Sequence, residues 1–250
     1  MSFVGQAALA ISGGQSPPYL AETATMSITT ILFDAGGTLV YLDYTFLARE
    51  LRRAGVSVSS RAIRQAEYAA KAEIDRRMRG PVTGTDDTRR RPYFSALLDG
   101  LAVDSHTADQ VIKRLDAAHK EDNLWRLMMP STPRVLQELR AQGFTLGVVS
   151  NSDGRIADIL HECGILTFFG VVIDSHEVGV EKPDPHIFHL ALAQIKKRPE
   201  QTAYVGDIYG IDVVGAERAG LRPLLLDTLG YYNDVPCTTI RHLRELLAIL

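Results

Sequence analysis

The chain carries polar residues whose types suit the binding of a metal ion and a phosphoryl group. They are three carboxylates, a hydroxyl, an amide and an ammonium: Asp34, Asp207, Asp212, Ser150, Asn151 and Lys182. Carboxylate oxygens are the ligands that Mg²⁺ prefers, while hydroxyl, amide and ammonium donors bind phosphate oxygens. The residue types therefore predict chemistry on a phosphorylated molecule with a divalent cation.

The position of Asp34 is what makes it a candidate reactive group. It follows the apolar residues 31–33 and precedes Gly36 and Gly37. Consecutive apolar residues are typical of a central parallel strand covered on both faces, and glycines allow the backbone to turn sharply beside a ligand. Ligands of open α/β sheets bind at the carboxyl ends of the strands. Asp34 is thus predicted to face a binding crevice, the alternative being that it only caps the next segment.

The remaining candidates require a sheet that collects them. After Pro130, strands alternate with helices, which favours parallel pairing with right-handed crossovers. The further predicted strands are residues 144–149, 171–173, 203–205 and 224–227. A doubly wound parallel α/β sheet brings Ser150, Asn151 and Asp207 to the same edge as Asp34, and Lys182 reaches it from a loop.

The middle of the chain has helical periodicity only. Apolar residues recur at four-residue steps on one predicted helix face: Ala66, Ala70, Ile74 and Met78. Gly80-Pro81 is predicted to break this helix, and Pro92 to open the next. We therefore expect an inserted, all-helical domain at residues 44–125, with the α/β core at 28–43 and 126–250.

Composition narrows the functional classes. A net charge of −3 and 46% hydrophobic residues are typical of a soluble globular protein and indicate neither nucleic acid nor a membrane surface as partner. No apolar run reaches the roughly 20 residues of a membrane helix.

Residues 1–27 contain no lysine or arginine and are predicted to be a disordered extension. Two distant cysteines, Cys163 and Cys237, favour a reducing cytoplasm. The oligomeric state is not indicated.

Four segments resemble, in order, the motifs of the haloacid dehalogenase-like (HAD) hydrolase superfamily. They are Asp34 to Thr38, Ser150, Glu181-Lys182-Pro183-Asp184-Pro185, and Gly206-Asp207 through Asp212. The resemblance covers the chain from about Ile28 to its end, and residues 44–125 look like the first-position helical cap of that family. It implies a Mg²⁺-dependent hydrolase that acts on a small phosphorylated metabolite.

The resemblance also implies roles for single residues. Asp34 is the expected nucleophile, which would become an aspartyl phosphate. Lys182 is expected to assist catalysis and to bind the phosphate, and three further residues are expected to bind the substrate: Thr38, Ser150 and Asn151. The expected metal ligands are Asp34, the backbone carbonyl of Gly36, Asp207 and, directly or through water, Asp212.

Gly36 departs from the family pattern. The phosphatases of the family carry a second aspartate there, which donates a proton to the leaving alcohol and activates the attacking water. General acid–base catalysis contributes about 10²–10⁴-fold to rates. Weakened proton transfer is therefore expected, with a preference for leaving groups that depart without a proton.

Other functions remain open. The chain could be a catalytically silent protein that binds phosphate or a partner. A dehalogenase is disfavoured, because Gly36 replaces an aromatic residue of that class and Asp207 with Asp212 suits a metal. A phosphonoacetaldehyde hydrolase would need a Schiff-base lysine in the helical domain, where Lys71 is the only central lysine and no motif surrounds it.

Overall fold

A six-stranded parallel sheet forms the core of the computed structural model, which describes residues 27–77, 86–233 and 235–250. In chain order the strands are β1 (Thr30–Phe33), β2 (Val40–Leu42), β3 (Trp125–Met128), β4 (Thr145–Ser150), β5 (Val171–Asp174), β6 (Thr202–Gly206), β7 (Arg222–Leu226) and β8 (Thr238–Ile240). The helices are α1 (Tyr44–Arg53), α2 (Ser60–Arg77), α3 (Asp86–Gly100), α4 (Ser105–Glu121), α5 (Thr132–Ala141), α6 (Ile156–Glu162), α7 (Ser175–Val178), α8 (Pro185–Ile195), α9 (Val214–Arg218) and α10 (Leu246–Ile249).

The strand order of the large sheet is β5-β4-β1-β6-β7-β8, with every neighbouring pair parallel. Strand β1 is central and fully buried, as its uninterrupted apolar run predicted. The predicted α/β class with a parallel sheet is confirmed. The prediction missed β8, an edge strand of three residues of which only Ile240 is buried, because so short and polar a run carries little strand signal.

Strands β2 and β3 form a separate antiparallel pair at the two ends of the helical segment α1–α4. Within the described residues 44–77 and 86–124 this segment contains helices and no strand. Helices α1–α4 enclose their own apolar cluster, to which Ala66 and Ala70 belong, as predicted from their spacing.

One prediction about the helical segment is wrong, and others concern residues that the structure does not describe. Pro92 was expected to begin a helix, which is wrong, because it lies inside α3, which begins at Asp86. The buried residues Phe94, Leu97 and Leu98 of α3 pack in the apolar cluster and offset the cost of an internal proline. The predictions on Met78, on Gly80-Pro81 and on residues 1–26 lie outside the described residues, as does the side chain of Ile74.

Candidate active site

Asp34 stands at the carboxyl end of β1, in the middle of the sheet edge. The residue is 6% exposed, and its carboxylate oxygen Oδ1 accepts a hydrogen bond of 2.6 Å from the Lys182 ammonium. The other oxygen, Oδ2, has one long contact of 3.4 Å with the Thr38 hydroxyl. One carboxylate oxygen is therefore held in place and the other is nearly free to react.

Lys182 is the central cation of the site and is fully buried. Its ammonium donates to Asp34, to Asp212 Oδ1 at 2.8 Å and to the Tyr204 hydroxyl at 2.7 Å, which uses all three of its donors. The Asn151 amide fixes the Lys182 backbone from both sides, donating to its carbonyl at 3.0 Å and accepting from its N–H at 2.8 Å. In this arrangement Asn151 positions Lys182, and its predicted contact with substrate stays a prediction.

Asp212 shapes the loop that follows β6. Its Oδ2 accepts the backbone N–H groups of Asp207 at 3.0 Å and Ile208 at 2.9 Å, while its Oδ1 binds Lys182. Both oxygens are thus engaged by the protein. The geometry favours a positioning role for Asp212, and its ligation of a metal, directly or through water, stays a prediction.

Asp207 keeps one oxygen available. Its Oδ2 accepts a hydrogen bond of 2.8 Å from the Lys71 ammonium. Its Oδ1 is buried and has no hydrogen-bond partner among the residues that the structure describes. A buried carboxylate oxygen without a partner is costly, so this atom is a natural place for a cation.

A divalent cation fits the donors that face one another here. Carboxylate oxygens of Asp34, Asp207 and Asp212 all lie within 4.8 Å of one another. Oxygen-only donor sets suit Mg²⁺. The nearly free Oδ2 of Asp34 and the unpartnered Oδ1 of Asp207 are the atoms that such an ion would satisfy.

Burial controls the ionisation of the two reactive carboxyls. It raises the pKa of Asp34 to about 7, against the opposing effect of the Lys182 ammonium and with a further contribution from Asp212 and Asp207. Burial likewise raises the pKa of Asp207, opposed by the ammonium of Lys71. Asp34 therefore differs from the ordinary aspartate, already ionised near pH 4, that its residue type alone suggests.

Helix α2 supplies three charged residues to the site, of which the sequence analysis had considered only Lys71, as the lysine that a phosphonoacetaldehyde hydrolase would need. Glu67, Lys71 and Asp75 are buried and follow one another at four-residue steps, so they share one helix face. Lys71 reaches Asp207, and Asp75 Oδ1 accepts the backbone N–H of Gly210 at 2.6 Å. The helical segment thus contacts the loop after β6 through charged groups. The four-residue spacing of these charges was the signal that the sequence offered. Because the same spacing is typical of a solvent-exposed helix face, it did not identify them as site residues.

The two glycines after Asp34 have different roles. Gly37 has a φ of +91°, and a Cβ there would lie 2.1 Å from Asp207 Oδ2, so the close approach requires glycine. Gly36 has no such φ, and its added Cβ would meet the Trp125 ring at 3.6 Å, an ordinary contact. Position 36 can therefore hold a side chain, which would project beside the indole.

A cavity of about 400 Å³ lies between the sheet edge and the helical segment. Its floor includes Asp34, Ser150 and Lys182, and aromatic side chains of its wall are Tyr93 and Trp125. Among the described residues, the Ser150 hydroxyl makes one hydrogen bond, a long one of 3.5 Å to the Asn151 carbonyl, which leaves it available to a ligand. A pocket of this size accommodates a small metabolite.

A histidine lines the same cavity without being free to react. His119 Nε2 lies 3.1 Å from Asp153 Oδ2, and its Nδ1 accepts the backbone N–H of Leu124 at 3.4 Å. Because both ring nitrogens are engaged, His119 is not an evident replacement for the acid missing at position 36.

The fold and the site are those of a HAD-like hydrolase: a parallel sheet, inserted helices, and four motif segments that meet at the sheet edge. The family model for haloacid dehalogenase-like hydrolases matches residues 28–220, and the chain belongs to this family. Among the described residues, no helix is both long enough and apolar enough to span a membrane.

Some of the similar proteins are named as phosphatases. The chain is 30% identical over 231 residues to the glyceraldehyde 3-phosphate phosphatase of Methanopyrus kandleri, a match that covers 89% of this chain and 97% of the relative. It is 36% identical over 104 residues to the phosphoserine phosphatase of Thermus thermophilus, covering 40% of this chain and 41% of that protein. Among solved structures, YfnB of Bacillus subtilis, described as a HAD-hydrolase bound to magnesium, has a TM-score of 0.64 at 22% identity and covers 90% of this chain and 99% of that one.

Proposed function

We propose that this protein is a Mg²⁺-dependent phosphohydrolase that acts on a small phosphorylated metabolite through an aspartyl phosphate on Asp34. One observation carries the proposal: Asp34 has one oxygen fixed by Lys182 and the other nearly free, beside the unpartnered oxygen of Asp207. A buried carboxylate held in this way is a preorganised nucleophile that needs no base once ionised.

The reaction has two displacements at phosphorus. In the first, Asp34 Oδ2 forms a bond to phosphorus while the bond to the leaving oxygen breaks, and that oxygen departs with the electron pair. In the second, water attacks the phosphorus of the acyl phosphate, releasing inorganic phosphate and the Asp34 carboxylate. In this scheme the Ser150 hydroxyl binds a phosphate oxygen and Thr38 orients Asp34. Lys182, whose three donors stay on Asp34, Asp212 and Tyr204, attracts the phosphate by its charge.

The metal would be held by Asp34, the Gly36 carbonyl and Asp207, with Asp212 fixing the loop that carries Asp207. Bound there, Mg²⁺ supplies neutralisation of negative charge, so that a carboxylate can approach a phosphate. Support comes from the carboxylate oxygens that converge within 4.8 Å. The magnesium-bound neighbour has the same fold.

We also propose that residues 44–125 act as a cap over the cavity, that residues 28–43 and 126–250 are the catalytic core, and that residues 1–27 are an extension of it. The separate apolar cluster of α1–α4 and the position of the cavity support this division. The two thiols, neither in a disulfide, support a cytoplasmic location.

The test is a panel of phosphorylated compounds assayed with Mg²⁺ and with a chelator. It contains alkyl phosphates, 4-nitrophenyl phosphate and acetyl phosphate, and intact-protein mass spectrometry after rapid acid quenching looks for a phosphate adduct. We expect Mg²⁺-dependent turnover and an adduct on Asp34 that Asp34→Asn abolishes, because an amide cannot form the acyl phosphate. Absence of turnover and of adduct with every compound would instead favour a catalytically silent phosphate-binding protein.

The position of Lys71 raises the alternative of a phosphonoacetaldehyde hydrolase, since this lysine enters the cavity. A Schiff base requires a neutral amine. Burial acts to lower the pKa of Lys71, but the carboxylates of Asp207 and Glu67 outweigh it and hold that pKa well above its usual value. The surroundings of Lys71 therefore favour a fixed ammonium and the phosphatase function.

A further inference from the structure

Lys71 places a positive charge from the helical segment inside the catalytic cavity. Its side chain is 6% exposed, and its Nζ lies 2.8 Å from Asp207 Oδ2. A Cβ on Gly37 would lie 2.8 Å from the same Nζ, so the ammonium touches the turn that follows the nucleophile. The same cavity contains Asp34 and Gly36.

The lysine is held in place by its own helix. Glu67, one turn earlier on α2, lies 2.9 Å from the Lys71 Nζ. Glu67 is itself fixed by hydrogen bonds from the hydroxyls of Tyr44 and Tyr93. Burying an ammonium is expensive unless opposite charges surround it, and here two buried carboxylates do so. The result is a preorganised charge rather than a mobile surface lysine.

The donors of the two lysines in the site are used differently. Lys182 donates all three of its hydrogen bonds to Asp34, Asp212 and Tyr204. Among the described residues, the Lys71 ammonium makes one hydrogen bond, to Asp207, and one ion pair, with Glu67, which leaves at least one donor for a substrate atom.

The expected geometry of displacement indicates which substrate atom this is. Attack and departure at phosphorus are roughly in line, so a nucleophile on the sheet edge sends the leaving oxygen away from the sheet. Residues of the helical segment, among them Lys71 and Tyr93, line the cavity together with those of the sheet edge. Position 36, where an acid would serve the leaving oxygen, has no side chain.

We propose that Lys71 is a catalytic residue of the phosphohydrolase reaction proposed above, where its ammonium donates a hydrogen bond to the leaving oxygen and stabilises the negative charge that develops there. As the bond between phosphorus and this oxygen breaks, the electron pair goes to the oxygen, which is protonated by solvent after departure. A fixed charge aimed at developing charge stabilises the transition state more than the bound substrate.

The test compares leaving groups across variants of position 71. The kcat and KM values of the parent, Lys71→Met and Lys71→Arg are measured with a series of phosphate monoesters from alkyl to 4-nitrophenyl. The loss of a single oxyanion donor costs about 10²–10³-fold in kcat. We expect a loss of this order in Lys71→Met for alkyl phosphates and a much smaller one for 4-nitrophenyl phosphate, whose anion is already stable. Lys71→Arg should keep part of the alkyl activity.

Two controls separate this role from a structural one. Lys113→Met removes an exposed lysine of α4 in the same helical segment and should change no rate. Because Lys71→Met leaves Glu67 buried without its ion pair, the double variant Glu67→Gln with Lys71→Met is measured as well, and it should show the same dependence on the leaving group. Mg²⁺ affinity, followed by calorimetry, should not fall in Lys71→Met, because this substitution removes a positive charge 2.8 Å from Asp207 Oδ2.

The outcomes also distinguish this inference from the function on which it rests. Equal losses for all leaving groups, in an active parent, would overturn the role of Lys71 and leave the phosphohydrolase intact. So would a loss explained by weaker Mg²⁺ binding. A parent without turnover on any ester would overturn both.

Discussion

At the residue scale, the site is defined by which oxygen of each carboxylate is already used. Lys182 takes one oxygen of Asp34, Lys71 takes one of Asp207, and Asp212 spends both on Lys182 and on backbone N–H groups. The neighbours of the three aspartates therefore leave them with different numbers of available carboxylate oxygens. The two with an oxygen to spare are the two to which we assign nucleophilic attack and metal binding in the proposed function.

Ionisation of Asp34 should be visible in the stability of the metal-free protein. Burial raises the pKa of this carboxyl to about 7, above its unfolded value near 4. The native state therefore binds more protons than the unfolded state between these pH values, and the contribution of Asp34 to stability is lost as pH rises from about 4 to about 7. The measurement is the free energy of unfolding in chelator at several pH values, for the parent and for Asp34→Asn. The parent should lose stability relative to the variant over this range, and parallel pH profiles would contradict the prediction.

Gly36 permits a second prediction at this scale. Because position 36 has an ordinary φ and space for a Cβ, Gly36→Asp should fold and place a carboxyl beside Trp125. If proton transfer is what the site lacks, this variant should raise turnover of alkyl phosphates by up to about 10²–10⁴-fold, with little effect on 4-nitrophenyl phosphate. Gly36→Asn, which has the same shape without the acid, is the matched control. A gain that Gly36→Asn reproduces would show that proton transfer is not the cause.

At the scale of elements, the turn after β1 brings the nucleophile and the loop after β6 into contact. The backbone hydrogen bond from Asp34 to Val205 fixes the two strand ends at 2.8 Å, and Gly37 then passes directly over Asp207. The close fit of these two loops leaves no room for a methyl group at position 37. The close approach of the two loops therefore requires the left-handed glycine at position 37.

Two alanine substitutions should separate this requirement from a general intolerance of the turn. Gly37→Ala places a Cβ at positive φ and against Asp207, so it should destabilise the protein by at least about 1–2 kcal/mol. Gly36→Ala meets neither obstacle and should be neutral or stabilising by about 0.4–1 kcal/mol, through the unfolded state. Urea denaturation in chelator measures both, and similar effects of the two substitutions would contradict this account of the turn.

At the scale of the whole molecule, the sequence predicted what depends on local pattern. The apolar run of β1 and the strand and helix alternation after Pro130 were sufficient for every strand of the large sheet except β8, and for the edge that carries Asp34, Ser150 and Asp207. The contribution of α2 was not predictable in this way. Whether the charges of Glu67 and Lys71 face solvent or Asp207 is decided by how the helical segment packs on the core, which periodicity does not encode.

Binding of Mg²⁺ should depend on the whole fold, because the proposed ligands come from two separate loops that only the folded chain brings together. A ligand that binds the native state stabilises it by RT ln(1 + [L]/Kd), about 2.7 kcal/mol at one hundred times Kd. For a chain of this size each kcal/mol shifts the melting temperature by about 2–4 °C, so saturating Mg²⁺ should raise it by roughly 5–11 °C. Thermal melts with Mg²⁺, and with NaCl at equal ionic strength as control, measure the shift. Asp207→Asn should remove most of it, because the amide cannot supply the charge that the unpartnered Oδ1 offers a cation. A parent protein that melts at the same temperature in both salts would rule out the proposed metal site.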